Sequence, residues 1–152
     1  MVQFETKYFG PVESDPADLL HFPAGLPAFE QETKFILLDI AERRPLIFLQ
    51  SAIRQELCFV VCPMGIVDPD YRLWTSPEDL ATLELPVASA QSPRGEVMVW
   101  AILSIPPAGE GEPVTANLLA PLVVNPKNRL GVQAIRCDSE YSHQHRVQVS
   151  GC

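Results

Sequence analysis

Fifteen prolines are scattered along 152 residues, and they leave little room for long helices. A proline in a helix interior removes a hydrogen bond and collides with the preceding turn. Between the prolines lie short runs rich in Val, Ile, Phe and Leu: 35–40 (FILLDI), 45–51 (PLIFLQS), 57–62 (LCFVVC), 96–105 (EVMVWAILSI), 121–125 (PLVVN) and 130–137 (LGVQAIRC). Runs of this length, bounded by Pro, Gly, Asn or Asp, predict strands. The N-terminal VQFETKYF alternates, which places Val2, Phe4, Thr6 and Tyr8 on one face of a half-buried strand. Several runs are apolar at consecutive positions, so both faces of those strands are expected to be covered. A closed barrel achieves this and also removes sheet edges.

The expected fold is therefore mostly β: a compact antiparallel β-barrel-like single domain over 1–142, with a loosely attached tail over 143–152. One short helix is expected at SPEDLATL, with Ser76 as N-cap, Pro77 at N1 and Asp79 at N3. Residues 40–45, 63–71 and 106–113 read as loops. A chain of 16.8 kDa can bury a core without staples. No stretch approaches the roughly 20 apolar residues of a membrane helix. The first ten residues have neither the basic nor the apolar region of a signal peptide, so the cytoplasm is the expected location.

In that compartment Cys58, Cys62, Cys137 and Cys152 are expected to be reduced. Cys58 and Cys62 are spaced C-x-x-x-C. On a strand they would lie about 13 Å apart at roughly 3.3 Å per residue, too far to share one metal ion. They read as structural thiols. The net charge of −8 comes mainly from the middle of the chain. There Glu56, Asp68, Asp70, Glu78, Asp79, Glu84, Glu96, Glu110 and Glu112 face two bases, Arg72 and Arg94. Such a surface repels phosphate backbones and suits a basic protein.

Catalytic and metal motifs are missing. There is no G-x-S-x-G elbow around Ser51, no G-x-G-x-x-G and no P-loop. His143 and His145 with Cys137 would make at best a weak metal site, and an incidental pair is the simpler reading. Asp68 and Asp70 in DPDY have cation-ligand chemistry, but the proline between them favours a turn. The expectation is no catalytic residue, no metal and no cofactor.

Amides bracket the most apolar run, in TANLLAPLVVNPKNRLGVQAI: Asn117 before it and Asn125 at its end. Both are expected to fasten strand ends. Pro121 is expected to start its strand, where no ladder donor is needed. Asn125, just before Pro126, is expected to face water, which makes Asn117 the costlier of the two to lose.

Taken in order, TKYFG, FPAGLPAFE, PLIFLQS, CFVVCP, DPDY, TANLLAPLVVN, GVQAI and YSHQHRV resemble the FliW family of flagellar assembly factors, from about Phe4 to Val147. Each motif is weak alone; the ordered set is specific. Two positions depart from the family pattern: Ala28 stands where Gly is usual, and Phe48 where Trp is common. The resemblance implies a non-enzymatic β-barrel protein of the bacterial cytoplasm. It implies binding to CsrA, a basic RNA-binding regulator, which relieves repression of flagellin translation, and binding to flagellin as a partner switch. It implies neither direct nucleic-acid nor membrane binding. Candidate partner contacts are Glu30, Gln50, Ser51, Asp68, Asp70, Tyr71, Glu78, Asp79 and Asn117. The alternative is a β-barrel small-molecule or flavin binder, which would want an anion cradle that the acidic centre lacks. An OB-type nucleic-acid barrel wants a basic groove with aromatics, and it fits least.

Overall fold

The computed structural model describes residues 2–26, 28–86, 97–107, 111–135 and 141–147. Among the described residues, ten strands and two short α-helices follow one another in sequence. Strands β1 (Val2–Thr6) and β2 (Gly10–Ser14) form a separate antiparallel hairpin. Its alternation ends earlier than the sequence suggests. The Thr6 hydroxyl donates to the Gly10 carbonyl at 2.7 Å and accepts the Phe9 amide at 3.0 Å. That closes a turn over Lys7–Phe9 and leaves Tyr8 60% exposed at the tip.

The remaining strands are β3 (Leu20–His21), β4 (Lys34–Leu38), β5 (Ile47–Ser51), β6 (Cys58–Pro63), β7 (Met98–Ser104), β8 (Thr115–Asn125), β9 (Leu130–Gln133) and β10 (His145–Arg146). The sequence of neighbours β8-β7-β6-β5-β4-β3-β9 returns to β8, so seven strands close into a barrel. Every pairing in the ring is antiparallel except the seam. There β3 meets β9 in parallel through His21 and Leu130, and the His21 amide donates to the Arg129 carbonyl at 2.9 Å. β10 pairs with the first residues of β8, His145 opposite Ala116. The chain therefore stays in the sheet past 143, where the sequence suggested a tail; residues 148–152 lie outside the described residues.

Both faces of the central strands are covered, as their consecutive apolar residues required. Inside the barrel pack Leu20, Phe22, Phe35, Leu49, Val61, Trp100, Leu122 and Val124. On the opposite face, Cys62, Ala101, Leu103, Val123 and Val132 pack under Met64, Tyr71, Leu73 and Leu83. The second cluster belongs to the segment between β6 and β7. That segment contains α1 (Met64–Val67) and α2 (Pro77–Thr82). The expected helix at Ser76 is α2. α1 falls inside the stretch read as a loop, because one turn after Pro63 is too short to show periodicity. Two 3-10 turns, Pro16–Asp18 and Ala41–Arg43, add to these.

The most apolar strand begins earlier than expected. β8 starts at Thr115, so Pro121 lies within it rather than at its start. Trp100 pairs with Leu122 and Ile102 with Asn117, so a two-residue step on β7 spans five residues of β8. Pro121 sits in this bulge, where a missing amide donor breaks no ladder.

Candidate functional site

The predicted contacts fall into three places. Asp68, Asp70, Tyr71, Glu78 and Asp79 lie on the α1–α2 segment that covers the outer face of the barrel. The Asp68 amide donates to the Met64 carbonyl at 2.8 Å and ends α1. Its carboxylate then accepts the Asp70 amide at 3.0 Å across Pro69, so DPDY is a turn. At α2 the Ser76 hydroxyl accepts the Asp79 amide at 3.0 Å, while the Asp79 carboxylate faces the Ser76 amide at 3.5 Å. This capping box starts the helix locally, and fully buried Leu80 and Leu83 anchor it.

From Tyr71 to Thr75 burial alternates, with Tyr71, Leu73 and Thr75 inward and Arg72 and Trp74 outward. Trp74 is 44% exposed, and Ile66 on α1 is 57% exposed. Among the described residues, none of Asp68, Asp70, Glu78, Asp79 and Glu84 forms a salt bridge. The segment thus presents several carboxylates together with an exposed aromatic and an exposed aliphatic side chain, and Arg72 is the one cation within it. Trp74 and Ile66 were not among the candidates. The alternation in YRLWT carried the signal for Trp74. Glu96, Glu110 and Arg94 of the acidic middle lie outside the described residues.

Glu30, Gln50 and Ser51 belong to a second place, the turn after β5 and the loop at 22–30. Gln50 is fully buried, and its amide nitrogen donates to the carbonyls of Ser51, Arg54 and Gln55 at 3.1, 3.2 and 3.2 Å. Ser51 is 1% exposed; its hydroxyl accepts the amides of Ile53 at 3.2 Å and Arg54 at 2.9 Å. The Ser51 hydroxyl and the Gln50 amide nitrogen both shape the 51–57 turn, while the Gln50 Oε1 is buried with no hydrogen-bond partner among the described residues. Glu30 is exposed and accepts the Ala28 amide at 3.3 Å. The bridge between the loop and the turn is a residue that was not singled out: Glu32 takes the Ser51 hydroxyl at 3.4 Å and lies 3.7 Å from the Arg54 guanidinium.

Asn117 occupies the third place, the β8 bulge. Its side-chain oxygen accepts the Leu119 amide at 3.0 Å. Around it the bulge's backbone finds partners from distant segments. The Leu118 amide donates to the Ser142 carbonyl at 2.9 Å, and the Leu118 carbonyl accepts the Tyr71 hydroxyl at 2.6 Å. The Ala120 carbonyl accepts the Gln133 side chain at 3.1 Å, and the Pro121 carbonyl accepts the Ala134 amide at 2.9 Å. Asn125 is buried at 4% exposure, not facing water. Its amide donates to the Leu83 carbonyl at the end of α2, at 2.9 Å.

His143 and His145 flank Gln144 near β10, and Cys137 lies outside the described residues, as does Cys152. Cys62 is fully buried and Cys58 half-buried on the same outward side of β6. Among the described residues no group of three or more His, Cys, Asp or Glu is placed to hold a metal ion. No helix among them is long and apolar enough to cross a membrane.

This fold is shared with known proteins. The FliW protein family matches residues 3–147. The chain belongs to the FliW family. The flagellar assembly factor FliW of Syntrophomonas wolfei is 37% identical over 138 residues, covering 91% of this chain and 83% of that protein. The FliW of Bacillus subtilis is 33% identical over 147 residues, covering 97% of both. A crystal structure of the flagellar assembly factor FliW superposes with a TM-score of 0.82 at 32% identity, over 95% of this chain and 96% of that one. These FliW relatives are all described as assembly factors.

Proposed function

We propose that this FliW-family chain is a cytoplasmic, non-enzymatic regulator that captures the basic RNA-binding protein CsrA and so relieves repression of flagellin translation. Flagellin acts as the competing partner that draws it away. The observation that supports this reading is the α1–α2 segment, whose carboxylates form no salt bridge among the described residues and which also exposes Trp74 and Ile66. Interfaces are commonly anchored by an aromatic residue in a polar rim. Opposite charge accelerates encounter with a basic partner. Once bound, the acidic segment lowers the regulator's RNA affinity by reciprocal linkage, without entering its RNA groove.

Binding kinetics against purified CsrA test the reading. Asp70→Lys with Glu78→Lys should slow association, and rising salt should do the same, because exposed charges are screened within about 10 Å at 0.1 M. Trp74→Ala should instead speed dissociation. Asp79 is left unchanged because it also caps α2. Association that ignores both salt and the reversed charges would sink the reading.

A further inference from the structure

The opposite polarity appears elsewhere on the molecule. On β5 and β6, Phe48 pairs with Val60, on the side of the sheet facing away from Leu49 and Val61 in the barrel core. The tip of the β1–β2 hairpin leans over that side: the rings of Phe9 and Phe48 meet edge to face at 5.0 Å. The Lys7 amide donates to the Gln55 carbonyl at 2.9 Å and holds the tip there. Between tip and sheet runs a groove of about 590 Å³, lined by Phe9, Leu46, Phe48, Val60 and Ile105, with Arg43 in its wall.

Ile105, 48% exposed, also lines a second cleft of about 650 Å³ at the far end of β7. There Ser104, Thr115, Asn117, His143 and Arg146 supply donors, with Glu112 the carboxylate in the lining. The Asn117 oxygen is engaged by Leu119, which leaves its amide nitrogen without a partner among the described residues. Because Ile105 belongs to both, groove and cleft form one continuous surface.

The arginines on this surface differ from several others. Arg44, Arg54 and Arg129 are each paired with a carboxylate of the chain. Arg43 and Arg146 are exposed, and neither forms a salt bridge among the described residues. In a chain of net charge −8, Arg43 in the groove wall and Arg146 in the adjoining cleft share this surface with a single lining carboxylate, Glu112, and mark a place where cations outnumber acids. Guanidinium groups bind carboxylates through paired hydrogen bonds.

We propose that this surface docks an apolar protein segment that carries carboxylates. Its apolar side chains seat against Phe48, Val60 and Ile105, and its acids meet Arg43 and Arg146. The rest of the acidic surface repels such a segment, so the two arginines direct it here. The proposal is independent of the regulator-binding reading, which concerns the α1–α2 segment.

A random peptide library displayed on phage and panned against the full chain tests it, with counter-selection against the Arg43→Glu/Arg146→Glu variant. Enriched peptides should combine Leu, Ile or Phe with Asp or Glu. The best of them, titrated by fluorescence anisotropy, should bind at least tenfold more weakly to that variant and to Ile105→Asp. Asp70→Lys/Glu78→Lys should leave its affinity unchanged or slightly raised. Thermal melts establish that the variants are folded, and Tyr8→Ala at the exposed tip gives a milder check. No enrichment, enrichment of basic peptides, or affinity indifferent to Arg43 and Arg146 would overturn the proposal. A dimer in sedimentation that Ile105→Asp dissolves would give the surface to a second copy and overturn it. So would tenfold tighter peptide binding after removal of residues 148–152, which would make that segment the occupant.

Discussion

The Asn125 carboxamide donates to the Leu83 carbonyl at 2.9 Å, joining the end of β8 to the end of α2 across 42 residues of sequence. Its oxygen accepts the Lys127 amide at 3.0 Å, so one side chain closes both a strand end and a helix end. Asn125→Ala should lower stability by roughly 1 kcal/mol, the cost of the lost hydrogen bonds, because the Leu83 carbonyl keeps the Asn128 side-chain amide at 3.2 Å. Asn117→Ala should cost less, because Asn117 is half-buried and water can replace part of what it does. Urea unfolding of the two variants checks the order; a larger loss at Asn117 would contradict it.

Tyr71 reaches across the same layer to the bulge. Its hydroxyl meets the Leu118 carbonyl at 2.6 Å, and its ring lies 4.5 Å from that of Tyr141. Tyr71→Phe keeps the ring contact but strands the carbonyl, at a cost of about 1–3 kcal/mol. Amide exchange at residues 141–147 should speed up more than exchange in β4 and β5. A uniform change across the barrel would show that the bond does not specifically hold the 141–147 segment.

Ala28 has φ of 71°, in the left-handed region, where the FliW pattern usually carries Gly. An L-residue there is about 1–2 kcal/mol less favourable than glycine. The extra freedom of an unfolded glycine offsets about 0.4–1 kcal/mol of that. Ala28→Gly should therefore stabilise the chain slightly, by up to about 1 kcal/mol, and raise its melting temperature by roughly 2–4 °C. A lower melting temperature would mean that Ala28 packs usefully.

Burial pushes the Cys58 thiol from its ordinary 9.0 up to about 11. Between these values the unfolded chain loses the proton while the folded chain keeps it. Stability should therefore fall as pH rises from about 9 to about 11, with no contribution from this thiol below that window. The comparison is between wild type and Cys58→Ala: the variant should show a shallower decline over that window, whatever its offset. At pH 8 alkylation of Cys58, followed by peptide mass spectrometry, should be slow in the folded chain. Parallel pH profiles would refute the assignment.

Signals confined to a few neighbouring residues were readable from the sequence. The capping box needs only Ser76 and Asp79, three residues apart, and α2 starts where they predict. Apolar runs between prolines mark β4 to β9, because each run states its own burial on one or two faces. The ordered motifs from Phe4 to Val147 point to the FliW family, which spans residues 3–147. The candidate residues were chosen by type and by proximity to strands, so exposed Asp70 and Glu78 were grouped with buried Gln50 and Ser51. Residue type does not distinguish a carboxamide that meets a partner from one that ties a turn.

What the sequence determined by itself was therefore the kind of element at most places along the chain: short strands, one capped helix, and turns such as DPDY. The tertiary structure decided what depends on residues far apart. Closure of the barrel rests on the parallel meeting of His21 with Leu130, and neither residue signals the other locally. The β8 bulge is defined only against β7, and its backbone is satisfied by Tyr71, Gln133, Ala134 and Ser142. Asn125 is buried because Leu83 arrives beside it, although its own neighbours, Pro126 and Lys127, are exposed. A hydrogen-bond partner 40 or more residues away leaves no period or spacing to read; only the packed chain brings the donor to its acceptor.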